Sequence, residues 1–315
     1  RSERPPFGEW LEGVRAEARQ RGIRPEVIEQ ALAIEEPLAV VVDRDRSQAE
    51  TVQPLDTYIR RRVTARSARL GRSMIERHQP VLAEVERRYG VPGRVVVAVW
   101  GIESNFGRFS GVRPTVTALA TLAWDPRRST LFRNELFDAL TIIDQGDIEL
   151  ARLRGSWAGA MGQAQFMPSS YLRYAQDFDG DGRRDIWESV PDILASIANY
   201  LRERGWQPGE PWGQEVAVTA SRTAAVDELP KRTTGCRAHR EMTEPASFEH
   251  WRELGLKRLN GRPLAGGEQT ASLVSGRSRH FLVTDNYAAL LEYNCAHAYA
   301  LSVALLADQI ARTPA

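Results

Sequence analysis

Cysteine is scarce in this chain of 315 residues: there are two, Cys236 and Cys295, and their spacing is not that of metal ligands. They form one disulfide in an oxidising compartment or stay two buried thiols, and the sequence leaves both open. The five histidines contain no pair at zinc spacing. A Gly-x-Ser-x-Gly nucleophile elbow, a dinucleotide glycine motif and a Walker lysine are all missing, so triad hydrolysis, nicotinamide chemistry and nucleotide phosphate binding have no foothold. No apolar run approaches the length of a membrane span. A charge surplus is lacking too: 42 Lys and Arg face 41 Asp and Glu, net charge +1, which argues against nucleic acid as the main partner. The runs Arg60–Arg62 and Arg87–Arg88 read as solvated helix faces. Repeats and low-complexity tracts are absent. The chain begins at Arg1 without a signal peptide, which leaves a removed export signal or lipid anchor open.

What is present suits a soluble globular protein with a sizeable core in two or three lobes, 42% hydrophobic and 26% charged. Phe7, Trp10, Leu11, Val14 and Ala18 recur on one helical face, and Gly22 ends that helix. Pro25 opens a second helix through Ile34. Asp43 to Gln53 reads as a linker, followed by helices up to Tyr89–Gly90. The run Val95–Trp100 fits a helix or a buried strand by periodicity, and its flanks, Gly-Val-Pro before and Glu-Ser-Asn-Phe-Gly after, favour helix. Leu131, Glu135, Leu136, Ala139, Leu140 and Ile143 predict another, closed by Gly146. A further helix starts at Ser189, with Asp192 completing a capping-box variant, and runs to Gly205. After Trp212, Val216, Val218, a turn at Gly266–Gly267 and a strand at His280–Val283 predict a small β-containing lobe, before helix returns from Asn286.

Three segments carry chemistry. Glu103 is expected at the end of the apolar helix, where desolvation and the helix C-terminus both favour a protonated carboxyl. Glycosidic cleavage needs such an acid, because the leaving oxygen must receive a proton. The plainer alternative is a surface glutamate at a fraying helix end. Next, Gly155 to Ser170 places glycines and alanines beside Ser156, Met161, Gln165 and Phe166. These suit either a wall against which a sugar ring rests, with Gln165 offering an amide, or tight packing of small residues between helices. The third, Asp177 to Glu188, fits the EF-hand loop. Asp177, Asp179 and Asp181 supply carboxylates, Arg183 a carbonyl, Asp185 a water-mediated contact and Glu188 a bidentate carboxylate; the alternative is an acidic loop closed by its own hydrogen bonds. With no second loop, and Arg184 at the position that pairs loops, one structural calcium fits better than a sensor.

Gly101-Ile102-Glu103-Ser104-Asn105-Phe106-Gly107, the Gly155–Ser170 segment and the acidic loop together resemble the membrane-bound lytic transglycosylase B family, in order and close to its spacing. The resemblance runs from Phe7 to the C-terminus and is strongest between Val91 and Trp212. It implies a mainly α (α+β) fold: a helical domain over 1–90, a lysozyme-like core with the calcium loop over 91–212, a small β-containing domain over 213–284, and a C-terminal helical segment over 285–315. By resemblance Glu103 is the catalytic acid and base. Ser104, Ser156, Met161, Gln165, Phe166, Tyr200, Tyr287 and Tyr293 fall at or beside sugar-contacting positions, although each tyrosine alone reads as half-buried core. The implied activity is non-hydrolytic cleavage of peptidoglycan between N-acetylmuramic acid and N-acetylglucosamine, leaving 1,6-anhydro ends. The implied setting is the periplasm of a Gram-negative bacterium, soluble or lipid-anchored, with peptidoglycan strands as partner and other cell-wall enzymes as candidates. The Arg312-Thr313-Pro314 end has the character of a linker toward a further module. Two rival functions remain, a hydrolytic muramidase on the same scaffold and a non-catalytic glycan-binding scaffold.

Overall fold

Helical spacing of apolar residues accounts for the first element. Phe7, Leu11, Val14 and Ala18 are buried along α1 (Phe7–Gln20), and Gly22 leaves it with φ 82°. Pro25 is the first residue of α2 (Pro25–Ala31), which stops three residues short of the expected Ile34. The computed structural model describes residues 5–41, 53–126 and 129–312. The stretch read as a linker lies, but for Gln53, outside the described residues, as do Thr313 and Pro314.

The chain divides into two compact units, Arg1–Val52 with Glu103–Asn199, and Gln53–Ile102 with Tyr200–Ala315. The second opens with α3 (Leu55–Arg62), α4 (Ala65–Arg77) and α5 (Gln79–Tyr89). Thr64 and Ser67 make a reciprocal capping box at α4, and Gly90, in left-handed backbone, ends α5. The β-branched run then forms a helix, α6 (Gly93–Ser104), buried at every position from Val95 to Trp100. Burial on all sides erases the alternation that separates helix from strand.

In the first unit, α7 (Thr115–Trp124) is almost wholly buried and packs on α8 (Ser129–Gln145). Leu136 and Leu140 of α8 are fully buried. Glu135, also buried, accepts hydrogen bonds from the Ser169 N–H (2.9 Å) and hydroxyl (2.7 Å), so α8 caps the N-terminus of α9 (Pro168–Tyr174). A two-residue ladder joins β1 (Arg113–Pro114) to β2 (Arg154–Gly155). Helix α10 (Val190–Glu203) follows the acidic loop.

The second unit carries the sheet. Its order is β4 (Ala246–Ser247), β6 (Thr270–Ser275), β7 (His280–Val283), β3 (Gly213–Ala217) and β5 (Lys257–Arg258), all antiparallel. Short helices α11 (Thr223–Asp227), α12 (Arg237–Glu241) and α13 (Phe248–Glu253) intervene. Val216, Leu273, Leu282, Phe248 and Trp251 form the core beneath it. The strands at Val216 and His280 were legible; β6 was not, because Ala271–Val274 are buried on both faces. The C-terminal helices are α14 (Asp285–Tyr293) and α15 (His297–Ala311), the latter packed on α3 and α4. Among the described residues the architecture is mainly helical with a small five-stranded antiparallel sheet, as the sequence implied, besides the β1–β2 ladder.

Candidate active site

Glu103 is the second-last residue of α6 and is half-buried. The backbone then turns left-handed three times, at Asn105 (φ 51°), Phe106 (φ 57°) and Gly107 (φ 81°). Asparagine tolerates that region, but phenylalanine rarely enters it, and the burial of Phe106 holds it there. Non-glycine residues so placed cost about 1–3 kcal/mol each and cluster at functional sites. Ser104 closes the turn. Its hydroxyl accepts the Gly107 N–H at 3.0 Å and its carbonyl the Phe109 N–H at 2.8 Å. A Cβ at Gly107 would lie 2.3 Å from Gln163 Oε1, so only glycine lets this turn press on the glycine-rich segment. Gln163 is held there by donating to the Trp187 carbonyl through its amide (2.7 Å) and to the Ile186 carbonyl through its backbone (2.8 Å). The sequence reading passed over Gln163, since a single amide among glycines has no signature.

Within Gly155–Ser170 some residues are packed tightly and others keep accessible surface. Gly155 is there for packing: a Cβ would stand 2.2 Å from the Ala160 carbonyl. The Ser156 hydroxyl accepts the N–H groups of Ala158 (3.2 Å) and Ala160 (3.1 Å), fixing a small loop. Met161 and Phe166 exchange backbone hydrogen bonds at 2.8 and 3.1 Å, and both side chains are buried in the core. Gln165, half-buried with φ 51°, donates from Nε2 to the carbonyls of Ser110 (3.1 Å) and Gly162 (2.8 Å). Among the nominated residues of this unit, Glu103, Ser156 and Gln165 keep accessible surface, whereas Ser104, Met161 and Phe166 lie beneath it.

The acidic loop is ordered by its own carboxylates. Asp177 accepts the N–H groups of Gly180 (2.8 Å) and Gly182 (2.9 Å), Asp181 that of Arg183 (2.8 Å), and Asp185 those of Trp187 and Glu188 (2.9 Å each). Asp179 accepts the Ser189 hydroxyl at 2.6 Å. Among the described residues, Asp177, Asp179 and Asp192 bring carboxylate oxygens within 4.8 Å of one another. Glu188 pairs with Arg152 at 2.7 Å. Asp192 was expected to complete the capping box at Ser189, and one half of it forms, the Asp192 N–H donating to the Ser189 hydroxyl at 3.4 Å, while the reciprocal side-chain half does not. Its carboxylate instead accepts the N–H groups of Phe178 (2.7 Å), Asp179 (3.3 Å) and Asp185 (2.8 Å) from a fully buried position. Burial pushes its pKa up, against those three hydrogen bonds. Arg184, at the position that would pair loops, binds Asp147 (2.6 Å) and Gln145 (3.0 Å), and its carbonyl accepts the Tyr171 hydroxyl (2.7 Å). A loop tied to its own unit in this way needs no second loop.

The three nominated tyrosines lie in the second unit. Tyr200 donates its hydroxyl to the Glu292 carbonyl at 2.6 Å, and its ring sits 4.6 Å from that of Tyr293, which stacks at 6.2 Å on Tyr299. Tyr293 is half-buried and Tyr200 buried. Cys295, two residues on, is bridged to Cys236, which resolves the alternative the sequence left open. Tyr287 is fully buried, its hydroxyl 2.7 Å from His297 Nδ1.

Burial lowers the His297 pKa from 6.5 to about 4, with Glu241, 3.9 Å from Nε2, opposing. The unfolded chain, with an ordinary imidazole, therefore takes up this proton first as the pH falls. The stability held by neutral His297 is complete above pH 6.5 and is lost toward pH 4, by about 3 kcal/mol. Melting curves between about pH 7 and pH 4.5 should show the fall in wild type and a shallower one in His297→Gln. An unchanged slope in the variant would place the titration elsewhere.

A family model described as Transglycosylase SLT domain matches residues 6–308. Membrane-bound lytic murein transglycosylase B of Escherichia coli (strain K12) is 31% identical over 259 residues, 81% of this chain and 66% of that protein. The chain thus spans just under two thirds of that relative's length. The crystal structure of SltB3 from Pseudomonas aeruginosa in complex with NAG-anhNAM-pentapeptide matches with a TM-score of 0.88 and 40% identity, over 96% of this chain and 79% of that one. Escherichia coli Slt35 in complex with calcium matches with a TM-score of 0.78 and 28% identity, over 97% and 93%. With a helical fold, a glutamate-ended apolar helix and a family match running from before α1 into α15, the chain belongs to the SLT-domain transglycosylase family.

Proposed function

We propose that the chain is a lytic transglycosylase of peptidoglycan, with Glu103 as its single acid and base. The observation that carries this is a half-buried carboxylate closing an apolar helix, next to a strained turn, in a member of this family. Glu103 gives its proton to the oxygen between N-acetylmuramic acid and N-acetylglucosamine as the bond from C1 to that oxygen breaks. The carboxylate so formed takes the proton from the muramic C6 hydroxyl, whose oxygen closes on C1. The products are a 1,6-anhydromuramic end and a free N-acetylglucosamine hydroxyl. No water is consumed, and Glu103 regains its proton. Because the nucleophile is already part of the substrate, attack benefits from proximity.

Ser156 and Gln165 are assigned as polar contacts to sugar, with Ser104, Met161 and Phe166 holding their backbone from below. Tyr293 is the sugar-stacking candidate of the three tyrosines, since it alone keeps more than marginal exposure. The acidic loop is assigned one structural calcium. Its donors are all hard oxygens, namely the carboxylates of Asp177, Asp179, Asp181, Asp185 and Glu188 and the Arg183 carbonyl, and a divalent cation relieves their mutual repulsion. Binding by Glu188 exchanges its pairing with Arg152. The bound ion would brace the loop and takes no part in bond cleavage. A periplasmic location is supported by the disulfide and by the membrane-bound relative in Escherichia coli. Among the described residues no helix is long and apolar enough to cross a membrane.

The test is mass spectrometry of fragments released from purified peptidoglycan. Fragments one water lighter than hydrolysis products are expected. Reducing-end fragments would replace this reading with a muramidase, and no release at all would leave a glycan-binding role.

A further inference from the structure

A cavity of about 560 Å³ lies within the second unit and is large enough for a ligand of drug size. Trp212, Phe248 and Leu305 give it an apolar side, and Arg258 of β5 with Arg312 beyond α15 gives it guanidinium groups. Two smaller cavities, about 110 and 180 Å³, share Asp308 with it, so the three form one branched cleft around that residue. Arg94 and Trp206 line the first branch, and Arg60, Arg279 and Glu215 the second.

The charges in this cleft do not cancel. Glu215 is taken by Arg279 through two hydrogen bonds of 2.6 and 2.7 Å. Asp308 accepts the Trp212 indole N–H at 3.2 Å, and burial raises its pKa against that hydrogen bond and the nearby charges of Arg94 and Arg312. Arg60, Arg94, Arg258 and Arg312 then outnumber Asp308 and Glu210, the other two acids in the lining. Two buried donors of the lining, Arg258 Nε and Trp206 Nε1, have no protein acceptor. Buried donors are normally satisfied, and a site rich in unpaired donors calls for a ligand that brings acceptors.

We propose that this cleft binds the acidic peptide portion of the cell-wall substrate, with a peptide carboxylate on Arg258 and Arg312 and apolar peptide side chains against Trp212 and Phe248. The proposal rests on peptidoglycan being the substrate. Planar guanidinium forks match carboxylates in two parallel hydrogen bonds, a geometry that neutral sugar hydroxyls do not require. The apolar side distinguishes the site from one built for a bare inorganic anion.

The experiment titrates the intact protein calorimetrically with a free, sugar-less stem pentapeptide, and in parallel follows cleavage of glycan strands stripped of peptide. Wild type should bind the pentapeptide, and masking its carboxylates as amides should weaken binding at least about tenfold. Arg258→Gln should do the same, and Arg312→Gln, at an exposed position, provides the second variant. Both variants should cut stripped strands as wild type does. Cleavage of stripped strands without any pentapeptide binding would overturn the peptide site alone, as would affinity unchanged in both variants. Failure of wild type to cut stripped strands would overturn the transglycosylase reading beneath it.

Discussion

Replacing Glu103 with glutamine is expected to lower peptidoglycan turnover by about 10²–10⁴-fold, the range that general acid–base catalysis contributes. The change keeps size and shape but removes the proton that the glycosidic oxygen must receive, and the base that must take the C6 hydroxyl proton. Both halves of the reaction fail together, so no second carboxylate should rescue the variant. The fold should survive. The left-handed turn is closed by the Ser104 hydroxyl and carbonyl and by Gly107 against Gln163, and Glu103 supplies none of those contacts. Initial rates of fragment release, beside melting curves of the same preparations, separate lost chemistry from lost fold. A variant that melts like wild type and cuts at wild-type rate would remove Glu103 from the mechanism.

The largest effect on stability is expected at Asp192. Asp192→Ala strands the N–H groups of Phe178, Asp179 and Asp185. A buried donor without a partner costs about 1–3 kcal/mol, so the loss should reach roughly 3–5 kcal/mol. The melting temperature should then fall by about 10 °C or more. Asp181 provides the contrast: it is exposed, and its carboxylate accepts the Arg183 N–H. Asp181→Ala should melt near wild type in the presence of chelator and lose only the gain that calcium brings, about 2.7 kcal/mol at a hundredfold excess over the dissociation constant. Melting of both variants with calcium and with chelator tests the two roles at once. Wild-type melting of Asp192→Ala in chelator would dismiss the brace, and a wild-type protein indifferent to calcium would dismiss the metal.

The acidic loop shows why some of this was legible and some was not. The ligand positions proposed for it follow a local spacing, so Asp177 to Glu188 could be read from twelve consecutive residues. Asp192 acts on backbone seven to fourteen residues earlier, and no local pattern records such a reach. The same contrast separates Gly107 from Gln163. The glycine stands in a recognisable string after Glu103, whereas the amide that fills the space beside it comes from another segment. Ser156, Met161 and Phe166 could be read as one segment, but which of them face outward depends on what packs behind.

Local order along the chain was enough to determine the mainly helical fold, the ends of α1, α5 and α6, the strand at His280, the family, and the three segments on which function is proposed. Those properties rest on periodicity, capping and fixed spacing, which act between near neighbours. Tertiary structure alone decided that Cys236 meets Cys295, that Asp192 supports the loop from within, and that Arg258 and Arg312 line one cleft with Trp212. Each depends on which distant segments share a surface, and burial there hides the polarity pattern from which a sequence is read.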